Sequence, residues 1–282
     1  MSKTKERIRD SQLRYKQGLG QNFIYDEDLL RALVELSSVT EEDDVLEVGP
    51  GAGSMTKYLC KMAHHVLSVE LDERLIPLLG AYMDQFDNFT LVEGDIMKCD
   101  LDALVAEHFP GLRPILCANL PYNITTPLLT RVVESGLFES VTVLIQKEVA
   151  QRICAKPGTA DYGAFSLLMQ YYTEPEMLFT VPNTCFLPPP KVTSAVIHCP
   201  TRREPPVRVQ SEASLWRAVK AGFAQRRKTL VNSLQSGYPL PKDALAQAIA
   251  ECGLPADVRG EKLSLEDYAH LADALDAALA EK

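Results

Sequence analysis

Val45-Leu46-Glu47-Val48-Gly49-Pro50-Gly51-Ala52-Gly53 sets a short apolar run against three glycines at alternate positions, and helical spacing follows at 55–62. A strand that ends in a glycine-rich turn and opens a helix suits a nucleoside ligand, because glycine lets the backbone turn tightly and approach closely. The spacing is G-x-G-x-G, which differs from the G-x-G-x-x-G of dinucleotide-binding turns. The next β-prone run, Val66-Leu67-Ser68-Val69, ends in Glu70, a carboxylate suited to accepting both hydroxyls of a ribose. By itself this pair fits a nucleoside cofactor, a nicotinamide one included, or a purely structural turn.

Three further runs read as strands: Phe89-Thr90-Leu91-Val92, Ile115-Leu116-Cys117-Ala118 and Val141-Thr142-Val143-Leu144-Ile145. Helical spacing separates them, for example at 73–83. This alternation predicts an α/β fold, a parallel sheet covered by helices on both faces. Two later β-prone stretches, 176–181 and 194–199, flank a Pro-rich loop and are expected to close the sheet as a hairpin-like pair. Ligands of a doubly wound sheet bind outside the carboxyl ends of its strands. Glu70, Asp95 and Asn119 all stand at such ends.

At Pro200-Thr-Arg-Arg-Glu-Pro-Pro206 the composition shifts to a charged, Pro-rich linker. Beyond it the pattern is helical only, at 212–223, 225–234, 243–252 and 264–279. Gly253 and Pro255 punctuate the third of these, and Ser264-Leu-Glu-Asp267 offers an N-cap for the fourth. The expected organisation is an α/β domain over 1–200, with a basic arm at 1–17, and a small all-helical domain over 201–282.

At 282 residues with 46% hydrophobic and 24% charged, the chain lies far from disordered or fibrous composition. It has no apolar run of membrane-spanning length and no secretory h-region behind its basic N-terminus, so a cytoplasmic protein is expected. The seven cysteines form no C-x-x-C pair, and the histidines lack ligand spacing, so neither disulfides nor a metal site is expected. The formal net charge of −9 argues against a nucleic-acid partner, but its distribution does not. Residues 1–17 carry six basic and two acidic side chains, and Arg226-Arg227-Lys228 forms a second basic run. Local patches of this kind can engage a polyanion.

Asn119-Leu120-Pro121-Tyr122 is the most informative segment. The exocyclic nitrogen of adenine is a poor nucleophile, because its lone pair is delocalised into the ring. The Asn119 side-chain oxygen and the Leu120 carbonyl could hold its two hydrogens and favour a more tetrahedral nitrogen, aimed at a sulfonium methyl. Pro121 stiffens the turn, and Tyr122 offers a ring for an extruded base to stack on. Asp95 could accept a hydrogen bond from the amine of a cofactor's own adenine.

With these segments in order, the sequence resembles the ribosomal RNA adenine N6,N6-dimethyltransferases. The likeness runs from Gln17 to about Leu234. It rests on Gly18-Leu-Gly-Gln-Asn-Phe23, Glu47-Val-Gly-Pro-Gly51, Val69-Glu70, Gly94-Asp95, Asn119-Leu-Pro-Tyr-Asn-Ile124, Gln146-Lys-Glu-Val-Ala150, Phe186-Leu-Pro-Pro-Pro-Lys-Val192 and Phe223-Ala-Gln-Arg-Arg-Lys-Thr-Leu-Val-Asn232. It implies a Rossmann-like class I methyltransferase sheet plus a helical C-terminal domain, with S-adenosylmethionine as cofactor. It also implies small-subunit ribosomal RNA, within an assembly intermediate, as substrate, with two adjacent adenines of a hairpin near the 3′ end as targets. Asn22, Ile24, Gly49, Glu70, Asp95 and Asn119 would line the cofactor pocket. Asn119, Leu120 and Tyr122 would serve catalysis, and Phe186 would form a second wall for the flipped base, a core phenylalanine being the alternative. Arg226, Arg227 and Lys228 would face the RNA, whereas Gln146-Lys147-Glu148 is read as structural. Ala52 replaces a bulkier apolar residue common in relatives, which should alter packing only.

Three other readings remain open. A relative acting on large-subunit RNA would be more basic overall, and a DNA adenine methyltransferase would carry a target-recognition domain. A non-catalytic assembly or nucleic-acid-binding factor would be expected to have lost Asn119, Tyr122 or the glycines, all of which are present. A monomer is the default expectation.

Overall fold

The computed structural model describes residues 22–111 and 113–280; the basic arm at 1–17 and residues 18–21 of the first motif lie outside them. A short strand β1 (Phe23–Ile24) leads to α1 (Glu27–Glu35), which Asp26 caps by accepting from the Leu29 amide at 3.1 Å. Strands and helices then alternate: β2 (Asp44–Val48), α2 (Thr56–Met62), β3 (His65–Glu70), α3 (Ile76–Met83), β4 (Phe89–Glu93), α4 (Leu101–His108), β5 (Ile115–Asn119), α5 (Thr125–Ser135) and β6 (Ser140–Gln146). The five strands from β2 to β6 are parallel, in the order β4-β3-β2-β5-β6. Val45, Leu46, Val66, Leu67, Leu116, Cys117 and Ala118 are all fully buried. A parallel strand covered on both faces needs a continuous apolar run rather than an alternating one. Cys117 serves there as a small hydrophobe.

After α6 (Lys147–Ile153) and α7 (Ala164–Tyr172) come β7 (Glu176–Val181), β8 (Phe186–Leu187) and β9 (Ser194–Pro200). β9 inserts antiparallel between β6 and β7, completing a seven-stranded sheet as the paired β-prone stretches suggested. β8 instead pairs with β1 in a separate two-stranded sheet. α3 begins later than its apolar spacing suggested, because the Leu75 amide closes a turn on the Asp72 carbonyl at 2.8 Å. Pro77 then occupies the first turn, where it displaces no helical bond.

The chain forms two compact units. One comprises the chain to Ala150 with Tyr172–Thr201; the other comprises Gln151–Tyr171 and everything from Arg202 onward. A linear boundary at residue 200 does not capture this, since 151–171 joins the helices from within the sheet sequence. Inside that second unit the Tyr162 hydroxyl donates to the Leu263 carbonyl at 3.0 Å, and the Gly158 amide to the Glu261 carbonyl at 2.7 Å. The unit contains α8 (Glu212–Gly222), α9 (Leu230–Leu234), α10 (Lys242–Glu251) and α11 (Leu265–Ala280). Gly253, at φ +71°, ends α10, with the Leu254 amide reaching back to the Ile249 carbonyl at 3.2 Å. Ser264 and Asp267 cap α11 reciprocally, each side chain accepting from the other's amide.

The second C-terminal helix is shorter than the 225–234 expected. Residues 225–228 form a turn closed by the Lys228 amide on the Gln225 carbonyl, and the Leu230 amide is taken by the Val258 carbonyl at 2.7 Å. The Arg226-Arg227-Lys228 run therefore sits in a turn rather than on a helix. Among the described residues, no helix is long and apolar enough to cross a membrane.

One buried polar residue ties the sheet to its first crossover. The Glu47 carboxylate, 1% exposed on β2, accepts from the Thr56 hydroxyl of α2 and the Ser68 hydroxyl of β3, both at 2.7 Å. Burial raises its pKa to about 7; the two hydroxyls oppose the rise and nearby Glu70 adds to it. An unfolded glutamate titrates near 4.5. Between those values the folded chain holds a proton that the unfolded chain has lost, so the stability from this site falls as pH rises. Glu47→Gln removes the ionisation and keeps an acceptor. Relative to wild type, the variant should therefore gain stability from pH 4.5 upward, by about 3 kcal/mol once above pH 7. Urea unfolding across that range measures the difference, and a pH-independent difference would contradict a buried, proton-binding Glu47.

Candidate active site

The carboxyl ends of β2, β3, β4 and β5 open onto one cleft of about 1070 Å³, its mouth included. Its walls are the glycine turn, Glu70-Leu71, Gly94 to Ile96, and Asn119 to Ile124, with Asn22, Phe23 and Ile24 opposite. It lies where the strand order reverses around β2, the place where doubly wound sheets bind ligands.

The turn is held by its backbone. The Gly49 amide donates to the Val69 carbonyl at 2.9 Å, and Gly51 has φ +60°. A Cβ on Gly51 would fall 2.7 Å from the Phe23 ring, so backbone geometry and packing both require glycine there. Glu70 is 5% exposed. One of its oxygens accepts the Gly51 amide at 3.0 Å, and the other accepts the Asp72 amide at 2.8 Å. Burial raises its pKa, against the pull of those two amides. Asp72 is in turn gripped by the Arg74 guanidinium, at 2.8 Å from Nε and 2.5 Å from Nη2. The carboxylate is thus fixed from both sides.

Asp95 folds its own loop, accepting the Met97 amide at 3.0 Å. Arg131 of α5 clamps that loop, donating to the carbonyls of Ile96 and Cys99. The Asn119 amide nitrogen donates to the Asn22 carbonyl at 3.1 Å, which fixes the orientation of the side chain. Among the described residues, no hydrogen bond reaches the Asn119 Oδ1. The Leu120 amide donates to the Leu144 carbonyl at 3.1 Å, and the Thr125 hydroxyl to the Pro121 carbonyl at 3.1 Å. The Tyr122 and Ser194 hydroxyls share a hydrogen bond of 2.7 Å. Burial raises the Tyr122 pKa, so the phenol keeps its proton at neutral pH. The Ser54 hydroxyl, beside the glycine turn, is buried with no partner among the described residues.

Asn22, Ile24, Gly49, Glu70, Asp95, Asn119, Leu120 and Tyr122, far apart in sequence, therefore line one cleft. Phe186 does not line it. The β1–β8 register sets Phe186 opposite Ile24, and its side chain, 2% exposed, lies in the hydrophobic core. The core alternative holds for it, because the short strand turns its ring inward. Arg226, Arg227 and Lys228 are exposed on the helical unit. Arg226 donates to the Ala160 carbonyl at 2.8 Å and stands 3.8 Å from Glu261, so it fastens the turn. Sequence reasoning missed Phe23, Leu71 and Ser194. Leu71 is 51% exposed beside Glu70, an apolar surface at the cleft that only burial reveals.

A family model described as ribosomal RNA adenine dimethylase matches residues 12–277. Ribosomal RNA small subunit methyltransferase A of Lachnoclostridium phytofermentans is 43% identical over 266 residues, covering 93% of this chain and 92% of that one. A dimethyladenosine transferase from Plasmodium falciparum superposes with a TM-score of 0.75 at 22% identity, covering 88% of this chain and 95% of its own. That likeness speaks for the fold. The 23S rRNA methyltransferase ErmE superposes with a TM-score of 0.70 at 25% identity, covering 90% and 100%. On the family match and the identity over nearly the whole length, the chain belongs to the ribosomal RNA adenine dimethylase family.

Proposed function

We propose that the chain transfers methyl groups from S-adenosylmethionine to N6 of two adjacent adenines in small-subunit ribosomal RNA. The targets lie in a hairpin near the 3′ end, and the product is N6,N6-dimethyladenosine, formed late in subunit assembly in the cytoplasm. The observation that carries this reading is the Asn119 side chain, whose nitrogen is tethered to Asn22 and whose oxygen is left available at a cleft shared with Glu70. The small-subunit assignment draws support from the relative named for that subunit at 43% identity, against 25% for the 23S methyltransferase.

The residues present fit the cofactor. Glu70, fixed by two amides, would accept the ribose hydroxyls, and Asp95 the adenine amine. Leu71 and Ile96 offer apolar surface to the adenine ring, while Gly49, Asn22 and Ile24 bound the remaining space. When bound, the cofactor supplies an electrophilic methyl on a sulfonium. Asn119 Oδ1 and the Leu120 carbonyl would accept the two N6 hydrogens of the target and hold its lone pair in line. Tyr122 would stack on the extruded base. No general base is required, because the product nitrogen is cationic and sheds its proton readily. For the second transfer, one acceptor would face a methyl in place of a hydrogen. Arg227 and Lys228, with Arg226 anchoring their turn, would contact RNA phosphates.

A non-catalytic assembly factor is the alternative, and Asn119→Ala separates the two. Methyl transfer should fall by about 10²–10³-fold, as for loss of a group that holds the reacting atoms, while binding to undermethylated small subunits stays within about twofold. Filter binding and tritium transfer measure both; binding without transfer by the unsubstituted chain would favour the assembly factor, and unchanged transfer by Asn119→Ala would overturn the role given to Asn119. An acidic protein that meets RNA through local patches should also depend on a structured particle. Isolated hairpin RNA is therefore expected to be a far poorer substrate than an assembly intermediate, and equal initial rates would overturn that partner assignment.

A further inference from the structure

Tyr122 sits on the turn that follows β5, yet its hydroxyl is bonded to a residue 72 positions away, Ser194 at the first position of β9. Ser194 is fully buried. Its backbone is flanked on both sides of the sheet, opposite Gln146 of β6 and Val181 of β7. Ser194 is thus paired on both sides within the seven-stranded sheet. The Tyr122 ring, by contrast, is only partly buried at the cleft wall. A phenol ring anchored only at Cβ can swing about χ1 and χ2, and each swing alters the face it presents.

We propose that Ser194 is a positioning residue for base binding: its hydroxyl locks the Tyr122 ring against the sheet, so that one ring face is presented to the target adenine. The inference rests on the reading of Tyr122 as the stacking platform. Anchoring a ring to a strand rather than to its own turn removes rotor freedom that would otherwise be lost on each encounter with substrate. The effect belongs to the extruded base, and the cofactor walls, Glu70 and Asp95, lie outside it. The antiparallel addition of β7 and β9 to a parallel sheet thereby gains a role beyond covering β6, because it supplies the anchor.

The test is a double-mutant cycle of Ser194→Ala and Tyr122→Phe in the full chain, with undermethylated small subunits as substrate. Each single change removes the same bond, and loss of one neutral hydrogen bond corresponds to about a tenfold change. Each should lower kcat/KM for the particle about tenfold, and the double variant should be no worse than either single one, the pattern of two groups acting through one contact. The Kd for S-adenosylhomocysteine, measured by calorimetry, should stay within about twofold of wild type. A merely structural loss at Ser194 would weaken cofactor binding as well, or would multiply with the Tyr122→Phe effect; either result overturns the proposal. Should Ser194→Ala fail to fold, Tyr122→Phe alone decides, since full activity in that variant excludes the lock. Tyr122→Ala tells the two layers apart. If it retains activity, the stacking reading itself fails; if it is inactive while both conservative variants are fully active, only the lock fails.

Discussion

The Glu70 carboxylate, held between the amides of Gly51 and Asp72, is the contact on which the rest of the site depends. It joins the glycine turn after β2 to the end of β3, and so fixes the geometry of the cleft at the point where the sheet changes direction. Burying a carboxylate costs stability unless its oxygens are satisfied. Here backbone donors satisfy its oxygens, one from the glycine turn and one from the end of β3. Glu47, on the neighbouring strand β2, is satisfied by hydroxyls instead, and burial there shifts its pKa to about 7. Two carboxylates on adjacent parallel strands thus serve different ends, though both border the cleft: Glu70 fixes the glycine turn, and Glu47 secures the strands and helix that carry it.

The segment from Asn119 to Tyr122, proposed to hold the target base, is likewise held by side-chain and backbone tethers. Asn119 is held by Asn22, Leu120 by Leu144, Pro121 by Thr125 and Tyr122 by Ser194. Two of these tethers reach strands β6 and β9, one reaches the segment before β1 and one the start of α5, so the turn is held by the sheet and by the chain on either side of it. Preorganisation of this kind is what transfer to a weakly nucleophilic amine requires, because the gain comes from holding the nitrogen rather than from acid–base chemistry.

Much of this was legible in the sequence because the signals were local. The apolar runs at Val45, Val66 and Ile115 and the residues that end them gave the parallel sheet, and Glu70, Asp95 and Asn119 gave the cleft. What escaped depends on contacts distant in sequence. Phe186 reads equally as base wall or core residue until the β1–β8 register turns it inward. The basic run at 226–228 has helical composition on both sides, and only the Val258 carbonyl taking the Leu230 amide shows why the helix starts later. Segment 151–171 joins the helical unit through Gly158 and Tyr162, neither of which carries a pattern that announces it. Ser194 looks like an ordinary strand serine in any linear reading.

The activity proposed for this cleft is methylation of adenine N6 in small-subunit ribosomal RNA. The most direct test is transfer from labelled S-adenosylmethionine to small subunits lacking the modification, followed by mass analysis of the nucleosides. Label recovered as N6,N6-dimethyladenosine from the small-subunit RNA is the predicted result. Tight binding of the particle without transfer, or label confined to large-subunit RNA, would contradict it.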